Sequence, residues 1–135
     1  MGESAEANEN VLIIEATGKT PYIKVDKTEG LIELRGTSIP ENTREFYWQF
    51  NRWMVEYTSN PAPKTRVKFA LMYMNSSSAV IITRMLRMID EMIGLKTEVT
   101  IDWYFETDDL EMREIGEYYD EVMNCEINLI AVDRL

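Results

Sequence analysis

Residues 67 to 93 read VKFALMYMNSSSAVIITRMLRMIDEMI, and the fold class follows from them. Residues 67 to 74 are apolar at nearly every position, which is typical of a central strand covered on both faces. From Ala79 to Ile93 apolar residues recur at steps of three and four, and this spacing predicts an amphipathic helix. The stripe consists of Ile82, Met85, Leu86, Ile89 and Ile93. Strand, tight turn and helix therefore follow one another directly, as in α/β folds.

The residues before this stretch predict three short strands. They are rich in apolar and β-branched residues and are separated by glycine and proline. The segments are Val11 to Glu15, Tyr22 to Asp26 and Leu31 to Arg35. Only residues 27 to 30 separate the second strand from the third, so we expect these two to form a hairpin with Gly30 in its turn.

A first helix is predicted to begin near Pro40. Two overlapping pairs have capping-box spacing, namely Ser38 with Glu41 and Asn42 with Glu45, so the starting residue stays open between them. The helix then has an apolar stripe that predicts its core-facing side. This stripe consists of Phe46, Phe50, Trp53, Met54 and Tyr57.

The residues after the stretch predict strand, helix and strand. Gly94 is a predicted helix stop, and residues 99 to 105 alternate as a strand does. Asp108 and Glu111 have the spacing of an N-cap and the third helical residue, and a third helix follows. Its predicted inward stripe is Met112, Ile115, Tyr119 and Val122. Ile127 to Val132 completes the order as a last strand.

The resulting order, βββαβαβαβ, predicts an α/β fold with one mixed β-sheet and covering helices on at least one face. A chain of 135 residues fits one hydrophobic core, so we expect a single domain over residues 11 to 135. Residues 1 to 10, MGESAEANEN, are predicted to be a disordered acidic tail without the basic start and apolar stretch of a secretory signal.

Composition excludes several functional classes. The net charge of −10 disfavours nucleic acid and anionic membranes as partners, because both are polyanions. The chain contains no histidine, which removes the usual general base and the commonest transition-metal ligand. The one cysteine, Cys125, excludes an internal disulfide and is typical of a reducing compartment. We therefore predict a cytoplasmic protein that is not an enzyme and uses no metal or cofactor.

The turn Asn75-Ser76-Ser77-Ser78 is the candidate functional site. Asn75 is a predicted N-cap, and a helix N-terminus with three hydroxyls in its first turn favours anions. Phosphorylation of one serine would add about −1.5 to −2 charges at a position that tolerates them. Asn and Ser are also ordinary capping residues, so the local pattern by itself favours plain capping.

Two other surfaces are weaker candidates. The acidic residues from Asp102 to Glu121 lack the spacing of a calcium loop and are typical of a solvated helix face, or of a strip that docks basic residues. Trp48 lies outside the apolar stripe of the first helix, and Met88 and Met92 widen that of the second. Core packing is the favoured interpretation, with a protein-docking patch beside the serine turn as the alternative.

Four segments resemble the SiaC family of bacterial regulatory phosphoproteins. They are Thr20-Pro21, GTSIPEN at residues 36 to 42, LMYMNSSSA at 71 to 79 and DWYFETDD at 102 to 109, within a similarity that runs from about Thr17 to Leu129. The resemblance implies an architecture similar to STAS (anti-anti-sigma) domains. It also implies a protein kinase and a metal-dependent serine/threonine phosphatase as partners. The unphosphorylated form is then expected to bind a diguanylate cyclase and to raise cyclic-di-GMP, which favours biofilm formation.

The resemblance places the phosphorylated residue directly after Asn75, on Ser76, with Ser77 and Ser78 as alternatives. Together with Trp48, this turn is the expected partner-binding surface. Two other functions stay open, namely a small domain that binds a phosphorylated metabolite and a constitutive interaction module in which the serines only cap the helix. Whether phosphate turns binding off or on also stays open.

Overall fold

The computed structural model describes residues 4–92 and 97–135, which form one β-sheet and three helices. The strands are β1 (Ala5–Ala7), β2 (Val11–Ile14), β3 (Tyr22–Asp26), β4 (Leu31–Ser38), β5 (Lys64–Met74), β6 (Glu98–Glu106) and β7 (Ile127–Val132). The helices are α1 (Thr43–Ser59), α2 (Ser76–Met92) and α3 (Leu110–Val122). The predicted end of α2 at Ile93 and Gly94 lies outside the described residues.

The strands lie side by side in sequence order. The first four pair antiparallel, and β4 to β7 pair parallel, so the predicted mixed sheet is confirmed. The parallel connections are helical crossovers that all step in the same direction along the sheet. Because such crossovers are right-handed, they place α1, α2 and α3 on the same face. The carboxyl ends of β4 and β5 therefore meet at one edge, beside the start of α2.

The core lies between this face and the helices. Alternate strand residues point into it, and Trp103 on β6 is its largest fully buried side chain. The Trp103 indole donates to the Met112 carbonyl at 3.0 Å, which joins β6 to α3. A Cβ on Gly116 would stand 2.5 Å from the Trp103 ring, so this helix position requires glycine. The prediction that Val122 belongs to the inward stripe of α3 is wrong, because its side chain is 54% exposed. The buried residues of α3 include Gly116 instead.

The other face of the sheet carries no helix within the described residues, which corrects one prediction. β5 is a central strand, but its second face is open: Lys68 and Ala70 are half-buried and Met72 is 54% exposed. Side chains of opposite charge alternate across this face, where Glu33 pairs in register with Lys68 and Lys68 with Asp102. Such cross-strand pairs stabilise a solvated sheet face.

Two further predictions need correction, namely the disordered N-terminal tail and the first residue of α3. Residues 1 to 10 are not a loose tail throughout, because β1 pairs with β2 and Glu15 donates its backbone N–H to the Ser4 carbonyl at 2.8 Å. α3 is capped by Asp109 and not by Asp108, since the Asp109 carboxylate accepts from the Met112 backbone N–H at 3.1 Å. A capping residue must stand where the chain turns into the helix, and that turn falls one residue later than the spacing predicted.

The hairpin and the start of α1 agree with the sequence. β3 and β4 pair antiparallel across residues 27 to 30, with Gly30 at φ +70°. Of the two possible starts of α1, the structure has Asn42 as the N-cap, whose side chain accepts from the Glu45 backbone N–H at 3.1 Å. This start brings the first turn of α1 beside the first turn of α2.

Candidate functional site

The turn between β5 and α2 is held from both sides. The Asn75 side-chain oxygen accepts from the Ser78 backbone N–H at 3.0 Å, which confirms Asn75 as the N-cap of α2. The Asn75 backbone N–H donates to the Ser38 carbonyl at the end of β4, also at 3.0 Å. The position of the α2 N-terminus is thus determined by the carboxyl ends of two adjacent parallel strands.

The three serines of this turn point in three directions. Successive residues of an α-helix are about 100° apart around the axis, so three neighbours cannot share one face. Ser76 and Ser77 are exposed, whereas Ser78 is fully buried. The inward position of Ser78 continues the apolar stripe of α2 by one turn, at four residues before Ile82. That spacing is the sequence signal that would have separated Ser78 from the other two.

Ser78 belongs to a buried chain of hydroxyls. Its Oγ lies 2.7 Å from the Ser38 Oγ and donates to the Ser38 carbonyl at 3.1 Å, and the Ser38 Oγ lies 2.6 Å from the Tyr47 hydroxyl. Burial raises the pKa of Tyr47 to about 12, against the opposing effect of its hydrogen bonds to Ser38 and Ser78. Phosphorylating Ser78 would require this chain to open, so burial disfavours it as an acceptor.

Ser77 points towards α1. Its Oγ lies 2.6 Å from the Thr43 Oγ1 and donates to the Asn75 side-chain oxygen at 3.2 Å. These contacts join the first turns of the two helices through exposed hydroxyls. The Ser76 hydroxyl has no hydrogen-bond partner among residues 4–92 and 97–135, and it is the serine that faces solvent with its oxygen free.

Trp48 lies on the exposed side of α1 and is 58% exposed. Arg52 stacks on its ring at 5.0 Å, and within residues 4–92 and 97–135 no hydrogen bond, ion pair or ring contact joins Trp48 to residues 75 to 78. The two methionines that accompanied it in the docking hypothesis pack inwards: Met92 is buried, and Met88 is half-buried against the core. The core interpretation is therefore confirmed for these methionines and wrong for Trp48, whose side chain points to solvent.

A groove between α2 and α3 was not predicted from the sequence. Its volume is about 580 Å³, and it opens beside the end of β5 and the first turn of α2. The lining residues are Met74, Ala79, Glu111, Glu114, Ile115, Tyr118 and Tyr119. The signal available in the sequence was the position of Tyr118, which continues the line of Glu111 and Ile115 along α3 and is 59% exposed.

Cys125 does not have the environment of a reactive cysteine. Cys125 is buried, and burial together with the neighbouring Asp90 carboxylate raises the pKa of its thiol to about 11, so the nucleophilic thiolate is disfavoured. Within the described part of the chain no three His, Cys, Asp or Glu residues are grouped to hold a metal ion. Among the same residues, no helix has the length and apolar character needed to span a membrane.

The fold and this turn define a small α/β protein with helices on one face of its sheet and a free serine hydroxyl at a helix start. A family model described as SiaC family regulatory phosphoprotein matches residues 14–132. The chain belongs to this family.

Solved structures agree with this assignment. The crystal structure of apo-SiaC from Pseudomonas aeruginosa superposes with a TM-score of 0.80 at 25% identity, covering 90% of this chain and 98% of that one. A chain from the crystal structure of the diguanylate cyclase SiaD in complex with its activator SiaC, from the same organism, has a TM-score of 0.82 at 24% identity and supports the fold. It covers 89% of this chain and 98% of that chain. An uncharacterised protein of P. aeruginosa strain UCBPP-PA14 is 26% identical over 110 residues, which are 82% of this chain and 87% of the relative.

Proposed function

We propose that this chain is a partner-switching regulator whose unphosphorylated form binds and activates a diguanylate cyclase. A protein kinase phosphorylates Ser76 to end this activation, and a serine/threonine phosphatase restores it. The observation that carries the proposal is the free, exposed Ser76 hydroxyl at the start of α2, in a turn where the two neighbouring serines are hydrogen-bonded to other side chains.

Membership of a family of regulatory phosphoproteins supports a role in regulation by phosphate. SiaC of P. aeruginosa is the activator in a complex with the diguanylate cyclase SiaD, which supports a cyclase as the partner of this chain. Under this proposal the chain supplies no catalytic group, and its output is the activity of the enzyme that it binds.

The physical chemistry of the turn supports Ser76 as the acceptor. A phosphate on the first residue of α2 lies at the positive end of the helix dipole, where an anion is stabilising by about 0.3–1 kcal/mol. The buried hydroxyl chain of Ser78 need not open, and the Thr43–Ser77 contact need not break. Phosphorylation then changes the surface without unfolding the protein.

The first test is the mass of the intact protein after co-expression with a candidate partner kinase. We expect one added phosphate on the wild type and none on Ser76→Ala. Ser77→Ala is the matched control, because it removes a hydroxyl one residue away and should still gain the phosphate. Full phosphorylation of Ser76→Ala would overturn the assignment.

The second test measures cyclic-di-GMP formation by the partner cyclase. Unmodified protein and Ser76→Ala should both stimulate the cyclase, whereas the phosphorylated wild type and Ser76→Asp should not. If Ser76→Asp and Ser76→Ala stimulate equally, Ser76 is not a switch and the chain is a constitutive interaction module. If nothing stimulates the cyclase, the proposed partner is wrong.

A further inference from the structure

Two of the three serines at the start of α2 are exposed, so exposure alone does not decide which of them a kinase modifies. Ser76 and Ser77 are neighbours in the chain, and both side chains are exposed. Their hydroxyls differ in hydrogen bonding. Thr43 and Asn75 contact the Ser77 hydroxyl, whereas the Ser76 hydroxyl has no partner within the part of the chain that the structure describes.

The contact between Ser77 and Thr43 engages the Ser77 hydroxyl whichever oxygen is the donor. The two hydroxyl oxygens lie 2.6 Å apart. If Ser77 donates, its proton lies between its oxygen and that of Thr43. If Thr43 donates, a lone pair of the Ser77 oxygen accepts that proton, and the Ser77 hydroxyl donates its own proton to the Asn75 side-chain oxygen at 3.2 Å. The Ser77 hydroxyl is therefore held in both arrangements.

Phosphorylation requires the acceptor hydroxyl to be free to turn. The serine oxygen forms a bond to the γ-phosphorus of a nucleoside triphosphate, the bond from that phosphorus to the β-phosphate oxygen breaks, and the serine proton passes to a base of the kinase. The attacking oxygen must lie in line with the breaking bond. A hydroxyl held by a neighbouring side chain has to give up that hydrogen bond first, which slows the transfer.

We propose that Thr43 is a specificity-determining residue for this phosphorylation, an inference that rests on the proposed function. Thr43 holds the Ser77 hydroxyl against the first turn of α1 and thereby restricts the kinase to Ser76. It acts only through Ser77, so it is a positioning residue. Ser77 is then a second acceptor that the contact between the two helices keeps closed.

The position of Thr43 is fixed from both directions along α1. Thr43 is the first residue of the helix, directly after the N-cap Asn42, whose side chain accepts from the Glu45 backbone N–H at 3.1 Å. One turn later, the buried Tyr47 hydroxyl lies 2.6 Å from the Ser38 Oγ. The cap and the buried contact together hold the first turn of α1 beside the first turn of α2.

A phosphate on Ser77 would have a different consequence from one on Ser76. It would replace the 2.6 Å contact with Thr43 by a group with three further oxygens and a charge of about −1.5 to −2. The first turns of α1 and α2 would have to move apart to hold it. Restriction to Ser76 therefore lets phosphate change the surface of the protein while the junction between the two helices stays closed.

The test measures phosphate on Ser77 by peptide mapping with mass spectrometry, in a time course with the partner kinase. The Ser76→Ala background removes the preferred acceptor, so that transfer to Ser77 is measured alone. Adding Thr43→Val keeps the shape of the side chain but removes its hydroxyl, and it should raise the initial rate on Ser77 about three- to tenfold. Thr43→Ser keeps a hydroxyl and should stay within about twofold of Ser76→Ala.

Two controls separate positioning from a general loosening of the turn. Thr58 is half-buried at the other end of α1, where its hydroxyl donates to the Met54 carbonyl at 2.9 Å. Thr58→Val in the same background should leave the rate on Ser77 within about twofold. The fully buried Ser78 should stay unmodified in every variant. An equal gain with Thr58→Val, or phosphate on Ser78 in the Thr43→Val variant, would overturn the inference.

The same experiment distinguishes failure of this inference from failure of the proposed function. Wild-type protein that gains phosphate on Ser76, together with a Ser76→Ala/Thr43→Val variant no faster on Ser77 than Ser76→Ala, would refute the role of Thr43 only. Wild-type protein that gains no phosphate on Ser76 would refute the proposed function and the inference with it.

Discussion

Ser76 and Ser78 stand two residues apart in one helical turn, and their hydroxyls differ in burial and in hydrogen bonding. Ser78 is fully buried and shares hydrogen bonds with Ser38 and, through it, with Tyr47. Ser76 is exposed and its hydroxyl is free within the described structure. Ser77 lies between these extremes, exposed but bonded to Thr43. The rotation of the helix thus separates a structural hydroxyl from a modifiable one.

Burial explains why Ser76 can gain a charge and Ser78 cannot. A buried polar group is stable only while its partners stay in place, so its chemistry is coupled to the fold. An exposed group at a helix N-terminus can gain negative charge without losing a partner. Changes at the two positions should therefore affect different measurements, stability in one case and binding in the other.

The largest expected effect is the loss of stability in Ser78→Asp. A carboxylate at this position is buried beside acceptor oxygens without a cation, and we expect the free energy of unfolding to fall by about 3–5 kcal/mol in chemical denaturation. Ser78→Ala is the control that removes the hydroxyl without adding charge, and it should cost about 1–2 kcal/mol. Equal stability of Ser78→Asp and the wild type would contradict the burial of the Ser78 side chain.

The buried hydroxyl chain should also make stability fall at alkaline pH. Burial raises the pKa of Tyr47 from 10.0 to about 12, so between these values the unfolded chain has lost a proton that the folded chain retains. The stabilisation is complete below pH 10 and is lost as pH rises towards 12, which amounts to about 2–3 kcal/mol. Denaturation curves across this range measure it, and Tyr47→Phe should flatten that part of the profile. The buried Cys125 adds a fall of the same sign at slightly lower pH, which Cys125→Ala removes.

A smaller loss of stability is expected at the exposed hydroxyl pair of Thr43 and Ser77. Thr43→Val keeps the shape of the side chain but removes the contact with Ser77, and we expect a loss of about 0.5–1 kcal/mol because water replaces the missing partner. Tyr47→Phe, measured at neutral pH, is the buried counterpart and should cost more. If the two variants cost the same, burial does not distinguish the two hydroxyl pairs.

The smallest effect on stability should come from Ser76→Asp. Its carboxylate lies in the first turn of α2, and we expect a change within about 0.5 kcal/mol in the stabilising direction. Ser77→Ala loses the Thr43 contact without gaining an acceptor and should be the less stable of the two by denaturation. A large loss of stability in Ser76→Asp would mean that phosphate acts by unfolding the turn and not by changing its surface.

The elements of the fold were predictable because each has a local cause. Periodicity placed the three helices and the strands around them, and the hairpin turn at Gly30 followed from its length and its glycine. The predictions that were wrong concern residues whose pairing or burial depends on contacts with distant parts of the chain. Ala5–Ala7 is a strand because β2 offers it an edge. Val122 is exposed in the last turn of α3, whereas Gly116 is buried against Trp103.

Residues 67 to 79 predict the turn from local features, namely an apolar strand, Asn75 as a cap and three serines after it. Which serine hydroxyl is free depends on the packing of distant residues, because Ser38, Tyr47 and Thr43 reach the turn from β4 and α1. That packing also formed the cavity beside the start of α2, because the residues that line it come from β5, α2 and α3. Local periodicity specifies the face of one element, whereas a site between elements depends on packing that no short stretch of sequence contains.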